Sequence, residues 1–188
     1  MSAPLSDLGS RARWIVHTQV AALSRRRRHT FGIHTRTTGY IPFTGPARNS
    51  IAFAWRHARQ LGCDHWDPGH LLLGLVGQDE SVAARTLQRL GTNPDQVRQQ
   101  VGLASAQDQP QAEPGPRPHP AEGVISAVLA EAAARCDYHI GTQHLLLALF
   151  RADDQAAAQA LARLGAGENQ VREAMTAVLA ETGPEPPA

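Results

Sequence analysis

The chain has 188 residues, enough for one compact domain or two small ones, and its formal net charge is only +1. All eighteen basic residues are arginine, which excludes a phosphate-binding loop ending in Gly-Lys-Ser/Thr, a Schiff base and a lysine general base. The near-neutral charge gives the chain as a whole no reason to bind nucleic acid or a membrane.

The composition favours helices. Alanine and leucine carry most of the apolar content and only 5% of the residues are aromatic, which predicts an all-α fold with close helix packing. Two cysteines, Cys63 and Cys136, are too few for a disulfide framework, and no segment is as long as a membrane span. We therefore expect a cytoplasmic protein.

Residues 1–38 differ from the rest of the chain. Apolar residues at helical spacing predict an N-terminal helix from about Asp7 to its arginine-rich end, followed by a loop over residues 30–39. An arginine run suits the phosphates of nucleic acid or another anionic surface, whereas a solvated helix end, favoured by the helix dipole, explains it without a ligand. No aromatic residues interleave for base stacking. The run consists of Arg25, Arg26, Arg27 and Arg28.

The next segment, residues 39–103, contains four predicted helices. Thr44 is a suitable N-cap for a helix from about Gly45 to Leu61, and Asp67 is a suitable N-cap for a leucine-rich helix over 68–77. Two further helices are predicted over 79–90, stopped by a glycine, and over 93–101.

The leucine-rich stretch occurs twice. His70 to Leu75 returns 74 positions later as His144 to Leu149, and the same offset holds without a gap over about fifty residues, which indicates a duplicated structural unit. The second unit is predicted over 121–181. Its helices are expected at 143–151, with Thr142 as N-cap, at 153–164, stopped by Gly165, and at 167–179.

Two segments have compositions that do not pack. Residues 104–120 are rich in glutamine, proline, alanine and glycine and are predicted to be a flexible or extended linker. The tail, residues 182–188, is expected to be disordered.

The connector before each leucine-rich helix contains possible metal ligands. Cys63, two imidazoles and two carboxylates lie between residues 63 and 70. The second connector places Cys136 one register earlier, so the thiols do not align between the copies. We therefore interpret both segments as helix connectors, and we predict neither a metal nor a cofactor.

The doubled motif resembles the Clp N-terminal (Clp repeat) domain of the ClpC and ClpA type protein unfoldases. The resemblance covers about residues 40–181 and implies two tandem four-helix repeats with pseudo-twofold symmetry, preceded here by the N-terminal helix. A truncated third repeat over residues 5–28 is an alternative interpretation of the N-terminal segment. The similar stretches are 41–44, 69–75, 81–85, 90–91, 97–101, 138–149 and 161–172.

The resemblance also bears on ligands. In the ClpC branch the glutamate of the Gly-Thr-Glu-His motif contacts the guanidinium of phosphoarginine on tagged substrates, and Gly69 and Gln143 stand at this position here. Loss of a charge-assisted hydrogen bond costs about 1.5–3 kcal/mol. Phosphoarginine binding is therefore disfavoured.

The leading functional hypothesis is a stand-alone protein-binding module that recognises a Clp unfoldase, its adaptors or its clients as an accessory factor or decoy. Backbone amides at helix starts can meet an anionic or polar group. Plain helix capping explains the same residues without a ligand. The candidate binding residues are Asp67, Pro68, Gly69, His70, Thr142, Gln143 and His144.

Two alternatives remain. One is binding of nucleic acid or an anionic surface through the arginine run, with the repeats as a scaffold. The other is an enzyme, for which only His65, His70, His139 and His144 are acid–base candidates, with no serine or cysteine convincingly placed beside them. We expect no catalysis.

Overall fold

The computed structural model describes residues 32–35, 39–107, 120–152 and 155–186. Within these residues it contains one two-stranded hairpin and eight helices, which confirms the predicted all-α class with two four-helix units. The N-terminal helix predicted before residue 31 lies outside the described residues. The elements are β1 (Gly32–Thr35), β2 (Gly39–Pro42), α1 (Gly45–Gln60), α2 (Pro68–Val76), α3 (Val82–Arg89), α4 (Pro94–Gln107), α5 (Pro120–Ala134), α6 (Thr142–Ala148), α7 (Ala156–Arg163) and α8 (Glu168–Thr182).

The two units share one core. Helices α1 and α2 pack together, as do their counterparts α5 and α6, but α3 packs on α8 and α4 packs on α7. The last helix of each unit therefore lies on the third helix of the other unit. The two leucine-rich helices, α2 and α6, contact each other at the centre, and nearly all of their leucines are fully buried. Each such side chain contributes about 2–3 kcal/mol through burial.

Four helix ends show the duplication in backbone geometry. A residue with positive φ follows each of α1, α3, α5 and α7, and the next N–H donates to a carbonyl of the last turn, as in a Schellman motif. The positive-φ residues are Gly62, Cys136, Gly91 and Gly165, and the donor–acceptor pairs, at 2.9–3.0 Å, are Cys63 to Ala58, Thr92 to Leu87, Asp137 to Ala132 and Ala166 to Leu161. The glycine stops predicted for α3 and α7 are confirmed.

The predicted N-caps are correct in the first unit and wrong in the second. Thr44 Oγ1 accepts a hydrogen bond from the N–H of Ala47, and Asp67 Oδ1 accepts one from the N–H of His70. In the second unit the N-cap is Gly141, and Thr142 is the first helical residue. Gly141 already has the extended backbone that a cap requires, and the Thr142 hydroxyl makes other bonds.

The loop prediction for residues 30–39 is also wrong for the described part. Strands β1 and β2 pair antiparallel, with Ile33 opposite Ile41. Immediately after β2 the chain pairs with the second unit, because Thr44 N–H donates to the Ile140 carbonyl and Ile140 N–H donates to the Pro42 carbonyl, both at 2.9 Å. The chain segments that lead into α1 and α6 are thus held side by side.

Helices extend further than predicted around both non-packing segments. Helix α4 continues to Gln107, into the first residues of the predicted linker, and residues 108–119 are not among those described. Helix α8 continues to Thr182, and the residue that follows has positive φ and donates from its N–H to the Leu179 carbonyl. Instead of fraying after residue 181, the tail turns back onto the protein, where Glu185 is bound.

A buried ionic cluster stabilises the second unit only. The Glu131 side chain is almost fully buried on α5 and binds Arg172 of α8 at 2.9 Å and Arg151 at 2.7 Å. Burial alone raises the pKa of Glu131, but the hydrogen bonds and charges of the two arginines outweigh it and hold the pKa below its ordinary value. The equivalent of Glu131 in the first unit is His57, so no such carboxylate exists there.

Helices α1 and α2 approach each other closely at Gly74. A Cβ at this position would overlap the backbone carbonyl of Ser50, so only glycine fits. We predict that Gly74→Ala lowers the free energy of unfolding by about 1–3 kcal/mol, because α1 must move away. Urea denaturation followed by circular dichroism measures this change.

The equivalent residue in the second unit, Ala148, provides the matched control. It is fully buried as alanine, so Ala148→Gly should cost only the helix propensity difference and the lost methyl burial, about 1 to 2 kcal/mol. If Gly74→Ala leaves the urea midpoint unchanged, the packing described for α1 and α2 is wrong.

Candidate functional site

Three helix starts meet at one place on the molecule. Thr44 is the N-cap of α1, Val82 is the first residue of α3, and Thr142 is the first residue of α6. The pairing of residues 42–44 with Ile140 brings Thr44 next to α6. Packing of α3 on α6 brings in the third member. We call this set of donors, Thr44, Val82 and Thr142, the donor cluster.

The donor cluster holds a carboxylate. Glu185 Oε2 accepts hydrogen bonds from the Thr44 hydroxyl at 2.6 Å and from the Thr142 N–H at 3.0 Å. Its Oε1 accepts from the Val82 N–H at 3.0 Å and from the Thr142 hydroxyl. Each oxygen thus has two donors, and the four together match an anion with two oxygen atoms.

Neutral dipoles, without a cation, stabilise this charge. No ion pair to Glu185 occurs within the described part of the chain. The positive ends of the α1 and α3 dipoles face the carboxylate, and a carboxylate near a helix start is favoured by both charge and hydrogen bonding. With Glu185 in place Thr44 and Thr142 are 1% and 0% exposed, and their hydroxyls also accept backbone hydrogen bonds from Ala47 and Ala83, which hold both side chains in position.

The Thr142 hydroxyl joins two helices as well as binding the anion. It accepts a hydrogen bond from the Ala83 N–H at 3.1 Å and donates its own proton to Glu185. It therefore satisfies an otherwise unpaired amide at the start of α3. This role explains why the side chain does not cap its own helix.

The pseudo-twofold axis generates a second position of this kind, where both donors of Thr142 are missing. The counterpart of Thr142 is Pro68, and proline has neither a hydroxyl nor an N–H. The counterpart of Val82 is Ala156, and that of Thr44 lies outside the described residues. The duplication therefore does not reproduce the donor cluster, and the two faces of the molecule differ chemically.

The first group of predicted site residues forms a closed helix start. Asp67 is partly exposed, whereas Pro68, Gly69 and His70 are buried. His70 Nδ1 lies 2.8 Å from Asp67 Oδ1 and accepts a hydrogen bond from the Asp67 N–H at 3.4 Å, which completes a capping box with the bond from the His70 N–H to Asp67 Oδ1. Burial raises the pKa of Asp67, but its hydrogen bonds with His70 outweigh this effect and lower the pKa overall. This carboxylate already occupies the amides that a ligand would need.

The residues of the second predicted group, Thr142, Gln143 and His144, lie in two different environments. Thr142 belongs to the donor cluster, whereas Gln143 and His144 are buried inside. Gln143 is 4% exposed and its Oε1 has no hydrogen-bond partner within the described residues. His144 Nδ1 accepts from the Gly141 N–H at 3.0 Å, and its Nε2–H donates to Asp137 at 2.9 Å. The two ring nitrogens are therefore both satisfied by a neutral imidazole.

The sequence offers further candidates for metal binding, disulfide formation, anion binding and membrane insertion. Within the described residues no three histidine, cysteine, aspartate or glutamate side chains are arranged to hold a metal ion. Cys63 and Cys136 are exposed free thiols. The arginine run, Arg25 to Arg28, lies outside the described residues. No described helix combines the length and apolar character needed to cross a membrane.

An open depression of about 360 Å³ lies between α3 and α8. Its lining includes Arg89 of α3 and Glu181 of α8, which form an exposed ion pair at 2.7 Å, and Thr182 at the end of α8. Since Thr182 is three residues before Glu185, this depression borders the tail that enters the donor cluster.

Sequence reasoning missed two parts of this site, the Val82 amide and Glu185. Val82 contributes only its backbone, which has no side-chain signature. Glu185 stands between two prolines in a segment whose composition predicts disorder. The usable signal is that Pro-Glu-Pro sequence, because two flanking prolines restrict the chain around a single charged residue.

Comparison with known proteins assigns the fold. The Clp repeat (R) N-terminal domain matches residues 42–164. The chain is 32% identical over 143 residues to the negative regulator of genetic competence ClpC/MecB of Bacillus subtilis, covering 75% of this chain and 18% of that protein. It is 31% identical over 167 residues to the chloroplastic chaperone protein ClpC2 of Oryza sativa, covering 87% of this chain and 18% of the relative. The chain thus spans less than a fifth of these curated relatives.

Solved structures agree. The N-terminal domain of the chaperone ClpD from Arabidopsis thaliana superimposes with a TM-score of 0.56 at 26% identity, covering 73% of this chain and 94% of that one. The Hsp104 N-terminal domain from Candida albicans has a TM-score of 0.58 at 17% identity, covering 78% and 95%. This second likeness concerns the fold alone.

His144 makes folding sensitive to mild acid. Burial lowers the pKa of His144, and this effect outweighs the opposing influence of Asp137. The unfolded state, with a pKa of about 6.5, therefore binds a proton that the folded state does not. We predict that the free energy of unfolding is constant above this pH and decreases as the pH falls below it, by at most about 1.4 kcal/mol per pH unit from this group.

Urea midpoints of the wild type and of His144→Gln between pH 7.5 and 5 test the predicted pH dependence of the free energy of unfolding. The variant is expected to be less stable at neutral pH, because it loses buried hydrogen bonds, but to show a smaller decrease on acidification. Equal pH slopes in the two proteins would rule out His144 as the source.

Proposed function

Because the chain belongs to the Clp repeat (R) N-terminal domain family, we propose that it is a protein-binding module that engages a Clp unfoldase, its adaptors or its clients. The Clp N-terminal domain is a protein-interaction module of the Clp chaperone family. The finer part of the proposal is that this chain acts as an accessory factor or decoy without catalysing a reaction. Absence of lysine from all 188 residues supports it, since a Gly-Lys-Ser/Thr nucleotide loop has no counterpart here.

The donor cluster is the proposed docking point, and it carries the proposal. Its four donors are fixed by the fold and already hold a carboxylate. A partner protein that presents an anionic side chain can satisfy the same donors. The two neighbouring helix dipoles favour such a group over a neutral one.

Two surface features supply additional contact area. The depression between α3 and α8 borders the tail that leads to the donor cluster. Tyr138, four residues before Thr142 in the chain, is 85% exposed, and exposed tyrosines are frequent anchors in protein interfaces. An anionic group at the donor cluster, with peptide along these features, is the binding mode that we propose.

Phosphoarginine is not the partner group that we favour. The residue at the position of the family glutamate, Gln143, is neutral and buried. A guanidinium near this position therefore meets no carboxylate from that residue. We expect acidic side chains of a partner protein to bind better than phosphoarginine does.

Affinity capture from a lysate of the source organism tests the proposal, with Thr44 variants as the comparison. Thr44→Val removes one hydrogen-bond donor to the anion, and a charge-assisted bond contributes about 1.5–3 kcal/mol, so captured Clp unfoldase, adaptor or client should decrease about tenfold or more. Thr44→Ser keeps the hydroxyl and is the matched control, with recovery close to that of the wild type. Quantitative mass spectrometry measures the recovery.

Stability must be checked in parallel, because Thr44 is also an N-cap and its loss costs about 1 kcal/mol. Circular dichroism at the capture temperature should show both variants folded. Failure of the wild type to recover any Clp component or client, or equal recovery by Thr44→Val, would contradict the proposal.

A further inference from the structure

The carboxylate in the donor cluster belongs to the chain itself. It comes from the C-terminal tail, beyond the last helix, and reaches residues that are more than a hundred positions away in the sequence at Val82 and Thr44. Every donor of the cluster is used by this one side chain. A partner carboxylate therefore cannot enter while Glu185 stays in place.

The tail is shaped for this contact. Helix α8 ends at Thr182, and Gly183 has φ 73°, a left-handed conformation that glycine adopts at little cost. Its N–H remains bonded to the Leu179 carbonyl, so the turn is anchored to the helix. Pro184 and Pro186 on either side of Glu185 restrict the backbone, which reduces the entropy lost when the tail docks.

The contact between the tail and the donor cluster is held by few groups and is therefore reversible. Pro184 and Pro186 are exposed, and Glu185 is only partly buried. For the described residues beyond the Gly183 turn, the hydrogen bonds to the rest of the protein come from the single Glu185 carboxylate. Release of this one group therefore frees the tail without disturbing the core.

We propose that Glu185 is an internal competitor that closes the donor cluster until an acidic segment of a partner protein displaces it. This inference rests on the function proposed above and adds its regulation. A short tail is present at an effective concentration on the order of millimolar, so a weak partner does not compete whereas a multivalent or high-affinity one does. The observed affinity for a partner is reduced by the fraction of molecules in which the tail is docked.

A peptide copy of the tail tests the inference on the full-length chain. The probe is acetyl-Gly-Pro-Glu-Pro-Pro-amide, and binding is followed by the amide NMR signals of Val82 and Thr142. Glu185→Gln removes the internal carboxylate and leaves the core intact, so it should bind the peptide at least about tenfold more tightly than the wild type. Glu173→Gln removes the same charge from an exposed position of α8 that does not line the depression, and it should behave like the wild type.

Two further arms separate this inference from the proposed function. The peptide with glutamine in place of glutamate should bind none of the proteins, and Glu185→Gln combined with Thr44→Val should lose affinity for the original peptide. Equal peptide affinity in the wild type and in Glu185→Gln would overturn the internal competition while leaving the donor cluster as a binding site. No binding to Glu185→Gln would overturn both.

Discussion

The burial of α2 against α6 is the contact on which the rest of the structure depends. The leucines of both helices are almost entirely removed from water, and six other helices surround them. Because α3 packs on α8 and α4 packs on α7, neither unit can complete its own core. The convergence of helix starts at the donor cluster follows from this exchange, since α1 and α3 come from one unit and α6 comes from the other.

A duplicated fold does not imply duplicated chemistry. The backbone stops of α1, α3, α5 and α7 correspond in the two units, down to equivalent hydrogen bonds. Side chains at equivalent positions nevertheless differ in charge and donors, as with Pro68 and Thr142 or His57 and Glu131. The common scaffold supplies stability on both sides, whereas among the described residues the full set of four donors to a carboxylate lies on one side of the axis. This asymmetry makes a single anion position the natural focus of recognition.

Features that depend on neighbouring residues could be predicted from the sequence. Apolar spacing located the helices, Asp67 and Thr44 marked two helix starts, and the glycines after α3 and α7 marked their ends. Thr142 was misassigned as an N-cap because the sequence does not show that its hydroxyl is used by Ala83 and Glu185, which lie in distant parts of the chain. Likewise, composition predicts a disordered tail, but it does not show that a single carboxylate with four donors can dock part of the tail without a core.

Nuclear Overhauser effects between the Glu185 side chain and the amide protons of Val82 and Thr142, in the unmodified protein without added ligand, test the central claim most directly. The account predicts these contacts, together with tail signals from Gly183 to Pro186 that differ from those of an unstructured peptide. Random-coil signals throughout the tail and no contact to either amide would contradict it.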